Sequence, residues 1–159
     1  MKSSLRVATI EPFSGNVLSV SSNEEDHRSL ASIFNLGALL PLSKTRWQLS
    51  RAKTLACAIS ALEQVEHAVV LCESVLGIHG WKDLLKGTEA MLNPPCLIVT
   101  SQIADERLWA EALNLGAYDV LAKPFSPNEV IRAVELAGLR WQRQGQHASL
   151  SMVAAAAAS

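Results

Sequence analysis

Aromatic residues make up only 5% of this 159-residue chain: one tyrosine, three phenylalanines and, against that thin background, four tryptophans. The core must therefore be largely aliphatic, and each tryptophan becomes worth locating. Cysteine is also scarce. Cys57, Cys72 and Cys96 lie inside apolar patterns without Cys-x-x-Cys spacing, which argues against a disulfide framework or a zinc site and predicts buried, reduced thiols. His27, His67, His79 and His147 are too scattered for metal ligation and read as surface residues, so no metal is expected. Excess charge of one sign is missing too: 14 basic against 15 acidic side chains leave a net charge of -1, and no bulk field draws the chain to nucleic acid or to an anionic membrane. No apolar run reaches the length of a membrane span. The opening Met1-Lys2-Ser3-Ser4-Leu5-Arg6 lacks the apolar core of a signal peptide, so a cytoplasmic location is expected. Glycine-rich phosphate cradles of the G-x-G-x-x-G or G-x-x-x-x-G-K kind are absent, and no Ser, Cys or His set marks a nucleophile. An enzyme is therefore not expected, nor is a cofactor.

What the chain does have is alternation. Residues 1–15, with Pro12, Ser14 and Gly15, read as an N-terminal extension ending in a linker. Asn16 to Val20 suits a first strand. Asn23 followed by Glu24, Glu25 and Asp26 suits an N-cap with acids in the first helical turn, where the helix dipole favours them, and that helix should run to about Asn35. Arg46 to Leu49 reads as a second strand, and Leu55, Ile59 and Leu62 recur at helical spacing up to Val65. A third strand covers Ala68 to Glu73. Trp81, Leu84 and Leu85 mark a helix that must stop before Asn93-Pro94-Pro95. Cys96 to Val99 forms a fourth strand ending in Thr100-Ser101, and Asp105 to Leu115 a helix closed by Gly116. After a fifth strand, Ser126-Pro127-Asn128-Glu129 has the form of a capping box and starts a helix expected to end near Arg143. The alanine-rich stretch 144–159 reads as a frayed, low-complexity tail. Five apolar strands alternating with five helices imply an α/β domain over residues 16–143, a doubly wound parallel sheet covered on both faces. In such sheets sites form at the carboxyl ends of the strands, here Ser21, Ser22, Glu73, Thr100 and Lys123.

Gly116-Ala117-Tyr118-Asp119-Val120-Leu121-Ala122-Lys123-Pro124-Phe125 is the most specific segment. Together with the strand ends at Glu73 and at Thr100-Ser101, it resembles the receiver domain of bacterial two-component response regulators. The resemblance spans roughly Asn16 to Leu139. It implies a flavodoxin-like sheet of strand order 2-1-3-4-5, a cis peptide at Lys123-Pro124, and a phosphoacceptor site at these positions. In that family an Asp ends the third strand and takes a phosphoryl group, aided by magnesium held on an acidic pair after the first strand. Here Glu73 stands at the acceptor position and Ser21 and Ser22 at the acidic pair, which makes the site vestigial on this reading. Glu73 is one methylene longer than Asp and can reach Lys123. The outcome is either a permanent imitation of the phosphorylated state or simple neutralisation of Lys123. Thr100 matches the family's switch hydroxyl. The coupled aromatic falls at Val120, with Tyr118 placed on the same face by strand alternation. The loop Ser74 to Gly80 departs from the family's Pro-Gly pattern.

The resemblance therefore implies a stand-alone pseudo-receiver that signals through a protein partner, a histidine kinase or a downstream regulator, or through a second copy. The surface involved would be the fourth helix, fifth strand and fifth helix, with Trp109 and Trp141 as candidate exposed anchors. Trp141 also falls on a stripe with Val130, Val134 and Ala137 and could turn inward. A phosphorylation-competent receiver and a small-ligand module using the vacated acidic pocket are the alternatives.

Overall fold

The computed structural model describes residues 14–39 and 45–158. Its elements are β1 (Ser14–Val20), α1 (Glu24–Leu39), β2 (Arg46–Ala52), α2 (Leu55–Gln64), β3 (Val69–Glu73), β4 (Val75–Leu76), β5 (His79–Gly80), α3 (Trp81–Thr88), β6 (Cys96–Ser101), α4 (Glu106–Leu115), β7 (Asp119–Ala122) and α5 (Pro127–Ala157). The main sheet is parallel throughout and ordered β2-β1-β3-β6-β7. This is the expected 2-1-3-4-5 arrangement, because the loop after Glu73 is itself a small antiparallel hairpin, β4 with β5, that adds two strands to the count.

The central strands β1, β3 and β6 are covered on both sides, which is why they read as continuous apolar runs. Val17, Val69, Leu71, Ile98 and Leu121 pack with Leu30 and Ile33 of α1 and with Val130 and Val134 of α5. Leu18, Val20, Val70, Leu97 and Val99 face the other way, onto Ala58, Leu62, Trp81, Leu84 and Ala112 from α2, α3 and α4. Each such side chain contributes about 1.5–3 kcal/mol of burial. Trp47, on edge strand β2, packs so closely on α5 that a Cβ at Gly138 would lie 2.5 Å from its ring. Among the described residues no helix is long and apolar enough to cross a membrane.

Several expectations are corrected. Of the extension 1–15, residues 1–13 lie outside the described residues, and Ser14 and Gly15 belong to β1, paired with Arg46 and Trp47. Asn23 does cap α1, its Oδ1 accepting the Glu25 amide at 3.0 Å, but the helix continues past Asn35 to Leu39, with Gly37 buried in its last turn. Gly116 closes α4 in the left-handed conformation as expected, at φ 106°. Ser126 precedes Pro127 at the start of α5, yet its side chain makes no capping bond, so the capping box does not form. The supposed tail is helical through Ala157. Elongating an anchored helix avoids the nucleation cost that makes an isolated alanine run marginal, and residues 144–157 contain no proline to stop it. Cys57 is exposed on α2, whereas Cys72 and Cys96 are buried as expected. His27 and His67 are buried, not surface residues.

Candidate functional site

The carboxyl ends of β1, β3, β6 and β7 converge. Glu73 pairs in register with Thr100, and the Lys123 amide donates to the Ser101 carbonyl at 2.9 Å, which anchors the lysine just beyond β7. The Lys123-Pro124 peptide is cis, as the resemblance implied. Lys123 turns back over the sheet edge, and its Nζ lies 3.2 Å from Glu73 Oε1. The pairing of Glu73 and Lys123 anticipated in the sequence is thus present, but it is shared. The same ammonium lies 2.5 Å from Asp26 Oδ2, and the Lys123 and Asp26 side chains are only 8% and 10% exposed.

Asp26 is the member of this cluster that the sequence reading missed, since Glu24, Glu25 and Asp26 were all read as acids that stabilise the helix dipole. The three acids in fact divide their work. Glu24 faces out to Arg51 and Lys53 at the end of β2, at 2.7 and 3.1 Å; the Lys53 hydrogen bond, more than the surrounding positive charges, holds its carboxyl below the ordinary range. Glu25 faces solvent, within 3.5 Å of the Ser29 hydroxyl. Asp26 points inward. A signal for this exists in the sequence: Leu30, Ile33, Phe34 and Gly37 form the buried stripe of α1, and one turn back from Leu30 that stripe meets Asp26.

Ser21 and Ser22 join the same cluster. The Ser21 hydroxyl lies 2.7 Å from Asp26 Oδ2 and 3.0 Å from Glu73 Oε2, so its single proton bridges two carboxylates by donating to one at a time. Its oxygen accepts the Asn23 amide at 3.0 Å. Ser22 approaches Glu73 Oε2 through both its amide and its hydroxyl, each at 3.4 Å. Beneath them His27 supports the Ser21 peptide: its Nε2 lies 2.9 Å from the Ser21 carbonyl and its Nδ1 2.9 Å from the Ser19 hydroxyl. A carbonyl only accepts, so Nε2 donates to the Ser21 carbonyl, while Nδ1 shares a hydrogen bond with the Ser19 hydroxyl. Cys72, one residue before Glu73, is no nucleophile, since burial, aided by the neighbouring Glu73 charge, pushes its thiol up to about 12.

Other expected residues stand differently. Thr100 is buried, and by strand alternation shares a face with Glu73; its carbonyl accepts the Ser74 amide at 2.9 Å. The hydroxyl that ties the site loops together belongs to Ser101, 3.3 Å from Ser74 Oγ and 3.1 Å from the Ile103 amide. Val120 and Tyr118 do not share a face. Val120 packs among the residues under α4, whereas Tyr118 packs on the α1 and α5 side with Arg140 over its ring. Tyr118 precedes the strand, so alternation does not reach it, and the Asp119 carboxylate accepts the Val120 amide at 2.8 Å where the phase changes. Trp109 is 38% exposed on α4 as expected. Trp141 is not an exposed anchor: it packs against the core and its Nε1 donates to the Asn93 carbonyl at 3.3 Å.

The magnesium ion that the resemblance implies does not fit this donor set. A hard octahedral cation needs several anionic or carbonyl oxygens directed at one point. The positions after β1 hold neutral hydroxyls, and an ammonium already stands between the two carboxylates, Asp26 and Glu73. Among the described residues no group of three or more His, Cys, Asp or Glu side chains is placed to hold a metal.

Comparison with protein-family models and with curated proteins gives no match. Solved structures do match. The receiver domain of the Francisella response regulator 1452 is 20% identical, covers 79% of this chain and 98% of its own, and superposes with a TM-score of 0.66. The signal receiver domain of a LuxO repressor protein from Vibrio parahaemolyticus is 19% identical over 84% of this chain and 97% of its own, at 0.69. A CheY-like receiver domain from Methanospirillum hungatei is 16% identical over 84% and 98%, at 0.65. The chain has the fold of these receiver domains.

Proposed function

We propose that the chain is a receiver-type signalling module that works by contact with a protein partner rather than by phosphoryl transfer, with Glu73 in the phosphoacceptor position. The observation that carries this reading is the Lys123 ammonium seated between Asp26 and Glu73 while the Ser21 hydroxyl bridges the same two carboxylates. Transfer to a carboxylate needs an oxygen free for in-line attack and positive charge to offset that of the incoming group. Both Glu73 oxygens are engaged, Oε1 by Lys123 and Oε2 by Ser21. Two carboxylates against one ammonium leave the cluster one charge negative, which disfavours a phosphate donor.

In this reading the Glu73 carboxylate lies against Lys123 where an acyl phosphate oxygen would otherwise sit, and the domain keeps one state. Output then depends on the face made by α4, β7 and α5, where Trp109, Leu113, Leu136 and Leu139 are exposed. That face would receive a kinase, a downstream regulator or a second copy. A small ligand in the pocket is the weaker reading, because the polar groups there already satisfy one another. The test is a magnesium titration of thermal stability, since an ion bound only by the folded state raises the midpoint by mass action. No shift at millimolar magnesium is expected; a saturable rise would overturn the closed-site reading.

A further inference from the structure

β2 is the outermost strand of the sheet, with β1 its only neighbour among the described residues. The Ser21 amide donates to the Ala52 carbonyl at 3.1 Å, so Ala52 turns its backbone groups toward β1. Successive residues of a strand turn theirs to opposite sides, and Leu49 and Arg51 therefore each present an N–H and a C=O outward. Outermost strands are commonly shortened, bulged or broken by proline. Here seven residues run in unbroken register, from Arg46 beside Ser14 to Ala52 beside Val20, and none is proline. A groove lies alongside. Between β2 and α1 is a cavity of about 350 Å³ with Phe34, Trp47 and Leu49 as its apolar floor and Arg28, Asn35 and Arg51 on its walls. The charge around strand and groove is one-sided. Glu24 answers Arg51 and Lys53, whereas Arg28 and Arg46 form no ion pair among the described residues.

We propose that β2 and this groove bind an extended acidic segment of a partner protein, which adds to the sheet as a sixth strand. Neighbouring strands place opposed side chains on one face, so an aliphatic residue opposite Leu49 enters the groove, and acidic residues two places to either side meet Arg28 and Arg51. Main-chain bonds to Leu49 and Arg51 supply affinity, and the groove and its cations supply specificity. A second copy of the chain fits poorly, because two β2 strands side by side would set Arg46, Arg51 and Lys53 against their own copies, and like charges directly opposite are destabilising. Nucleic acid would meet the cations, but outward N–H and C=O groups in alternation match a peptide backbone. The site is separate from the face of α4, β7 and α5, since β2 and β7 are the two ends of the strand order.

Fluorescence anisotropy tests this, with the full chain titrated into a labelled peptide of core Glu-Thr-Val-Thr-Glu. Saturable binding that weakens with added salt is expected, and glutamines in place of the glutamates should weaken it by about tenfold or more. Arg28→Glu, at an exposed position of α1, should do the same with the melting of the domain unchanged. Trp109→Ala, on the other face, should bind the peptide as the wild type does. Hydrogen exchange reads the backbone contact directly: with peptide bound, the Leu49 and Arg51 amides should slow more than those of Gln48 and Ser50, which already turn to β1. No binding, equal binding of the glutamine peptide, or unchanged exchange at Leu49 and Arg51 would each overturn the proposal. A single-stranded oligonucleotide that binds more tightly than the peptide and is lost in Arg28→Glu would overturn it in favour of a polyanion. Dimerisation of the chain abolished by Arg46→Glu would overturn it in favour of a second copy. None of these results bears on the face of α4, β7 and α5, which Trp109→Ala and partner capture judge separately.

Discussion

The carboxyl edge of the sheet and the outer face of α4 and α5 are opposites. At the edge, Lys123, Asp26, Glu73, Ser21 and His27 are largely buried and joined by ion pairs and hydrogen bonds, with two carboxylates sharing one ammonium. On the outer face, Trp109, Leu113, Leu136 and Leu139 stand in solvent with no polar compensation. A network closed on itself has little left to offer a ligand, whereas exposed apolar side chains gain by being covered. On the proposed reading, signalling lies on the helical face and the sheet edge is a structural part.

The comparison breaks hardest at Lys123. Lys123→Ala leaves the buried Asp26 and the part-buried Glu73 without their cation, and removing the partner of a buried charge costs about 3 kcal/mol or more. For a domain of this size that lowers the melting midpoint by roughly 6–12 °C. Calorimetry checks it, and a drop under about 1 kcal/mol would mean that the edge is open and solvated. Glu73→Gln should cost less, since Asp26 still holds the lysine. Rebuilding the acidic set with Ser21→Asp, Ser22→Asp and Glu73→Asp should reverse the character of the edge. The variant is expected to be less stable than the wild type in chelator and to recover with magnesium, by about 2.7 kcal/mol at a hundredfold excess over its dissociation constant. On the other side of the contrast, Trp109→Ala should remove binding to a protein partner while changing stability by only about 1 kcal/mol, measured by calorimetry beside partner capture. A large melting drop with capture intact would place Trp109 in the core.

The smallest effect supplies a control far from the site. His67 is buried just before β3, and burial holds its imidazole below its ordinary value of 6.5 despite a hydrogen bond with the Val65 carbonyl. The unfolded chain therefore takes up that proton first as pH falls below about 6.5, and stability declines with acid from there. His67→Gln should flatten that portion of the curve, read as denaturant midpoints at pH 7.5 and 5.5. Acid sensitivity unchanged by the substitution would assign it to other groups.

Periodicity and the Lys123-Pro124-Phe125 segment made the sheet, its order and the pairing of Glu73 with Lys123 legible in the sequence, because apolar runs and strand ends are local signals. Asp26 was hidden because a first-turn acid satisfies the helix dipole whichever way it points, and only the buried stripe of α1 gives its direction. His27 was hidden because its partners, the Ser19 hydroxyl and the Ser21 carbonyl, meet it only across the turn from β1 into α1. Tyr118 was placed on the wrong face by extending alternation beyond the strand. The length of α5 was missed because alanine-rich sequence was judged as an isolated helix rather than as the continuation of an anchored one.

The central claim is that the sheet edge is closed to phosphoryl transfer. Intact-mass measurement after incubation of the purified chain with acetyl phosphate and magnesium tests it most directly, with Lys123→Ala run alongside. The account predicts the unmodified mass for the wild type throughout; a stoichiometric gain of one phosphoryl group, lost in Glu73→Gln, would contradict it.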